Sequence, residues 1–164
     1  MKRTILLADD QRGIRQFCKQ ELESAGFRVV PVEDGDEALD TLESIVVDLV
    51  ILDEHMPRCS GREAARQIKQ LLPNLPVILF TADPLYERYR RPWIDAVVTK
   101  SEDLALLQGE IARLLASAAD NERGAPTRAG TAASGADELA FPVASDGGSP
   151  SVVRGSRERR PTYA

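Results

Sequence analysis

Leu49-Val50-Ile51-Leu52-Asp53-Glu54-His55-Met56-Pro57-Arg58-Cys59-Ser60-Gly61 is a short apolar run that stops on a carboxylate and is followed by a loop. The pattern recurs along the chain. Ile5-Leu6-Leu7-Ala8 stops on Asp9 and Asp10, Val77-Ile78-Leu79-Phe80 on Thr81, and Ala96-Val97-Val98-Thr99 on Lys100. Runs of Val, Ile and Leu without polar alternation are what strands buried on both faces look like, and parallel strands of that kind need helices between them. A strand plus its helix takes up about thirty residues. The interval from Asp10 to Asp53 is longer than one such unit and predicts an extra strand, whereas the interval from Thr81 to Lys100 leaves room only for a short helix. If the runs are parallel, all the polar groups that end them meet at one edge of the sheet. That edge then carries carboxylates, a hydroxyl and an ammonium, a set suited to a divalent metal and a phosphoryl group.

The intervening sequence supplies the helices. Ile14, Phe17, Cys18, Glu21, Leu22 and Ala25 recur at helical spacing, and Gly26 follows where a C-terminal cap belongs. Phe27 to Val32 is the extra strand, and Asp34-Gly35-Asp36 offers a turn and an N-cap to a helix with Ala38, Leu39 and Leu42 inward. Ala64, Ala65, Ile68, Leu71 and Leu72 form the apolar stripe of a third helix that Pro73 helps to end. Between Asp83 and Pro92 any helix is short, since Pro84 suits a first turn and Pro92 soon stops it. Ser101, with Glu102 and Asp103, is expected to open a last helix with Leu104, Leu107, Ile111, Leu114 and Leu115 inward. The fold class is therefore α/β, a doubly wound, five-stranded parallel sheet in three layers with a short or irregular fourth helix.

Composition sets the outer bounds. The chain has 164 residues, 43% hydrophobic and 29% charged, with a net charge of −5, a profile that suits one core. No apolar stretch approaches the roughly 20 residues of a membrane span, and Met1-Lys2-Arg3 runs into a strand without a cleavage pattern. A cytoplasmic protein without a membrane anchor is expected, with Cys18 and Cys59 as reduced thiols. The mild acidity argues against general nucleic-acid affinity. Residues 1–118 are expected to form the folded domain. From Ala119 to Ala164, Ala, Gly, Ser and Pro make up just over half of the residues and no apolar period survives, so a disordered tail is expected. The arginines between Arg154 and Arg160 are read as a solvated end rather than a docking surface. Nothing after Ala118 resembles a helix-turn-helix, and no DNA-binding domain is expected.

The motifs Asp9-Asp10, Asp53 through Gly61, Thr81-Ala82 and Lys100 resemble, in order and spacing, a response-regulator receiver domain, similar to the stand-alone chemotaxis receiver. The resemblance covers residues 3 to about 118. It implies the flavodoxin-like strand order 2-1-3-4-5, whose switch point lies between the first and third strands, where Asp9, Asp10 and Asp53 stand. Three crowded carboxylates repel one another, and a hard divalent ion bound through oxygen relieves this. By resemblance the ion is Mg²⁺. Asp10 ligates it, Asp9 ligates it or holds one of its waters, Asp53 gives one oxygen, and the backbone carbonyl of His55 completes the protein share. The other oxygen of Asp53 is then the phosphoacceptor. Lys100 brings a compact charge to a phosphoryl oxygen and Thr81 a hydroxyl. The implied role is that of a single-domain response regulator in a two-component pathway or phosphorelay. A histidine kinase or phosphotransfer protein charges it, and an unidentified protein target reads it by contact.

As an isolated residue, each of these has a plainer reading: an Asp after a strand as turn or cap, Thr81 as a helix cap, Lys100 as a solvated cation. Their joint register favours the receiver. An aspartate-nucleophile phosphohydrolase is disfavoured because His55 stands where that chemistry places a second Asp; the expectation is a phosphoacceptor, not an enzyme with an external substrate. A binding-only relative is disfavoured because all four motif positions are present. His55 and Asp83 are read as residues on the rims of the pocket. Two departures bear on output: Val97 stands where the family usually has an aromatic residue, and Ser101 where it usually has proline. Tyr86, Tyr89 and Trp93 are read as local packing.

Overall fold

The computed structural model describes residues 2–83, 91–101 and 104–124, the last four of these as backbone only. Five strands form an all-parallel sheet: β1 (Thr4–Ala8), β2 (Arg28–Val32), β3 (Leu49–Asp53), β4 (Val77–Thr81) and β5 (Ala96–Thr99). Their order is β2-β1-β3-β4-β5, as expected. Among the described residues, four helices accompany them: α1 (Arg12–Ser24), α2 (Gly35–Ser44), α3 (Gly61–Leu71) and α4 (Ala105–Gly124). Successive strand residues point to opposite faces, which divides the apolar positions between two cores. Leu6, Ala8, Val50, Leu52, Val77 and Leu79 face α2 and α3; Ile5, Leu7, Leu49, Ile51, Ile78 and Phe80 face α1 and α4. Pro31, which lacks a ladder N–H, is tolerated because β2 is an edge strand.

The register aligns the strand ends. Ala8 lies beside Leu52, Asp53 beside Phe80, and Thr81 beside Thr99, so Asp9, Asp53, Thr81 and Lys100 share the carboxyl edge. The helix signals are realised in detail. Asp34 caps α2 by accepting from the Glu37 N–H at 3.0 Å. Ser60 and Glu63 form a reciprocal capping box on α3. After α1, Gly26 takes a φ of +97°, and the N–H groups of Gly26 and Phe27 donate back to Glu23 and Leu22, a Schellman closure.

The helical spacing of Ile14, Phe17, Cys18 and Leu22 is realised in α1, whose sheet-facing side is carried by Cys18 and Leu22, with Phe17 40% exposed. Three expectations are corrected. Leu71 and Leu72 are exposed because α3, running antiparallel to β3, has by then passed the amino-terminal edge of the sheet, and Pro76 precedes β4. Ser101 does not open the last helix: α4 begins at Ala105, where the Gln108 N–H donates to the Leu104 carbonyl. That helix also continues beyond Ala118 to Gly124. The short helix expected within residues 83–92, like Tyr86 and Tyr89, falls largely outside the described residues. Trp93 packs partly against the α2–α3 core, in line with local packing.

Candidate functional site

Asp53 and Thr81 are the last residues of β3 and β4, and Asp9 and Lys100 the first after β1 and β5, so the strand backbones deliver them with little freedom. Asp9 follows β1; its N–H donates to the Val32 carbonyl at 3.3 Å, and its Oδ1 accepts from the Gln11 N–H at 2.8 Å. Asp9 and Asp53 are buried, at 1% and 3% exposure, and Asp10 is exposed. One carboxylate oxygen from each of Asp9, Asp10 and Asp53 lies within 4.8 Å of the others. Lys100 reaches into this group: its Nζ lies 2.7 Å from Asp9 Oδ2 and 3.0 Å from Asp53 Oδ1, and 5.8 Å above the Phe80 ring. The Lys100 N–H donates to the Thr81 carbonyl at 2.7 Å, which ties the ends of β4 and β5 together.

The electrostatics follow from this crowding. Burial pushes the Asp53 carboxyl above its ordinary value; the Lys100 ammonium and a backbone hydrogen bond from His55 oppose the shift, and Asp9 adds to it. A single ammonium faces three carboxylates, so the site keeps an excess of negative charge on hard oxygen donors. That donor set fits a divalent cation of the Mg²⁺ class. Thr81 is fully buried at the same edge, and its Oγ1 accepts from the Asp83 N–H at 3.1 Å, a bond that leaves its own O–H proton for another acceptor. His55 is exposed at the start of the loop.

Two features escape the motif reading. Glu54, next to Asp53, is 3% exposed and pairs with Arg62 Nε at 2.5 Å; burial raises its carboxyl, opposed by that guanidinium, and its Oε2 is buried without a hydrogen-bond partner. Gly61 packs onto the Asp53 backbone: a Cβ there would lie 2.9 Å from the Asp53 carbonyl carbon and 2.8 Å from Leu79 Cδ1. Gly61 closes the motif that carries Asp53, but which strand it packs against depends on how α3 folds back.

A doubly wound sheet of this order, with an acidic cluster and a lysine side chain at its switch point, is a receiver-type arrangement. The sequence profile of the response regulator receiver domain matches residues 5–112, and the chain belongs to that family. It is a receiver domain of a response regulator in two-component signalling. It is similar to the response regulator protein TrrA from Thermotoga maritima, whose structure was solved in complex with Mg(2+)-BeF. Identity is 36% with a TM-score of 0.65, over 68% of this chain and 98% of TrrA. TrrA has also been solved in complex with the histidine kinase ThkA; that alignment gives 37% identity and a TM-score of 0.63, over 69% and 98% of the two chains. Response regulator MprA from Mycolicibacterium vanbaalenii is 40% identical over 85 residues, 51% of this chain and 37% of MprA, so the match spans little more than a third of that longer relative. Receiver domains act as phosphoacceptors rather than as conventional enzymes. No helix among the described residues is long and apolar enough to cross a membrane.

Proposed function

We propose that this receiver is a cytoplasmic phosphoacceptor charged on Asp53 in a Mg²⁺-dependent reaction, with a histidine kinase or phosphotransfer protein as donor. The observation that carries the proposal is the convergence of three carboxylates within 4.8 Å with the Lys100 ammonium bridging Asp9 and Asp53. In this reading Asp9, Asp10, Asp53 and the His55 carbonyl hold the ion, which supplies charge neutralisation at the attacking carboxylate and the phosphoryl oxygens. The free Asp53 oxygen attacks phosphorus. A P–O bond forms, the P–N bond of the donor breaks, and its electron pair leaves with the imidazole nitrogen, which takes up a proton. Lys100 exchanges a carboxylate for a phosphoryl oxygen, and the Thr81 hydroxyl donates to another.

Output is proposed to run through contact with a protein target, as for a signalling receiver domain. With Val97 already packed and compact at the usual aromatic position, phosphate is sensed through Thr81 and the backbone that follows it. His55 and Asp83 flank the pocket and set the access of water to the acyl phosphate. The test is phosphate uptake from a small phosphodonor, followed by intact mass. One added phosphoryl group is expected with Mg²⁺ present and none after chelation. Uptake that is equal with EDTA would refute the metal-dependent reading.

A further inference from the structure

Two arginines that touch none of the acidic carboxylates of the site hold the loops that carry them. Arg15, on α1 and nearly buried, donates through Nη1 to the Asp9 carbonyl at 2.6 Å and through Nη2 to Glu33 at 2.7 Å. Arg58, in the loop between Asp53 and α3, pairs with Asp34 and lies 3.8 Å from Asp36. Glu33 and Asp34 are neighbours in one turn between β2 and α2. That turn is itself braced, since Asp34 accepts from the Glu37 N–H at 3.0 Å while Glu37 accepts from the Glu33 N–H at 2.7 Å. A turn with no proposed ligand is thus tied on one side to the Asp9-Asp10 loop and on the other to the His55 loop.

We infer that Arg15 and Arg58 are positioning residues for the acidic site, acting through the Glu33–Asp34 turn to fix the spacing of the loops that supply its ligands. The inference rests on the reading of that site as a Mg²⁺-dependent phosphoacceptor. Three observations separate Arg58 from an ordinary surface cation. Its partner Asp34 is buried, with 4% of its side chain exposed, so the pair anchors a carboxylate that has already lost its water. Its φ is +64°, a conformation a residue with a Cβ adopts only where the surroundings impose it. The next residue, Cys59, closes on α2 so tightly that a Cβ at Gly35 would lie 2.8 Å from the Cys59 carbonyl oxygen and 2.9 Å from its Sγ. Partners behind a metal site orient its ligands, and their loss typically costs 10- to 100-fold in metal affinity.

The experiment titrates Mg²⁺ into wild type, Arg58→Gly, Arg58→Lys and Asp34→Asn, following the backbone amide resonances of Asp10 and His55 together with the melting temperature. Arg58→Gly suits the positive φ and removes only the side chain. Asp34→Asn keeps an N-cap acceptor and removes the charge. Measured well below the melting temperature of each variant, both are expected to bind Mg²⁺ about tenfold more weakly, and Arg58→Lys to recover most of the loss. At saturating Mg²⁺ both should regain phosphate uptake to within about twofold, a split between binding and reaction. Unchanged Mg²⁺ affinity in Arg58→Gly and Asp34→Asn overturns the inference alone. Equal loss in Arg58→Gly and Arg58→Lys overturns it too, since the charge then has no part. A wild-type chain that binds no Mg²⁺ overturns the reading of the site and the inference with it.

Discussion

Lys100 is where folding and chemistry compete for the same charge. Its ammonium pairs with two carboxylates that are nearly removed from water, and removing one partner of a buried pair costs about 3–5 kcal/mol because the remaining charge stays uncompensated. Lys100→Met is therefore expected to melt well below wild type in EDTA and to recover part of the loss in excess Mg²⁺, since a divalent ion replaces the missing charge. Melting curves with and without metal check this, and a Mg²⁺-independent deficit would contradict it. Cys18 gives a second prediction at this scale. Burial, with a smaller contribution from Asp9, raises its thiol from 9.0 to about 11. A group whose folded pKa is raised stabilises the fold below its ordinary value and loses that contribution as pH climbs through the folded value. Stability should thus decline between about pH 9 and about pH 11, by up to about 2–3 kcal/mol. Urea titrations of wild type and Cys18→Ala across that window measure the effect, and equal slopes would show that Cys18 is not its source. Asp9, Asp10, Asp53 and Lys100 were legible because each ends an apolar run. Glu54 and Arg58 were not, because nothing local marks a charge that tertiary packing will bury or clasp.

At the scale of elements, glycine positions separate close approach from mere helix composition. Gly61 leaves no room for a Cβ against Asp53 and Leu79, whereas Gly109, within α4, has nothing within 4 Å of that position. Gly61→Ala is expected to destabilise by about 1–3 kcal/mol through forced displacement of α3 from β3, and to reduce phosphate uptake because the displaced strand end carries Asp53. Gly109→Ala should stabilise by about 0.5–1 kcal/mol, since alanine loses less freedom in a helix interior. Denaturant midpoints of the two variants decide the matter, and shifts of the same sign would contradict the packing described. Strands and their order were readable because runs buried on both faces have no competing period. Leu71 and Leu72 were misassigned because helical spacing reports which side chains share a face, not whether the sheet extends far enough to cover it. The start of α4 was misplaced because Ser101 has the chemistry of a cap while the chain there is still leaving β5.

Among the described residues, the buried residues of both cores lie between Thr4 and Leu114. Truncation after Gly124 is accordingly expected to leave melting temperature and phosphate uptake unchanged, while truncation after Ala118 shortens α4 and should cost measurable stability. Under the function proposed above, this edge of the sheet presents Asp53, held by Lys100 beside Asp9, to a phosphoryl donor. Intact-mass analysis of wild type and Asp53→Asn, each incubated with Mg²⁺ and a small phosphodonor, tests it most directly. One added phosphoryl group is expected on wild type, released by hydroxylamine as an acyl phosphate is, and none on Asp53→Asn; undiminished labelling of Asp53→Asn would rule Asp53 out as the acceptor.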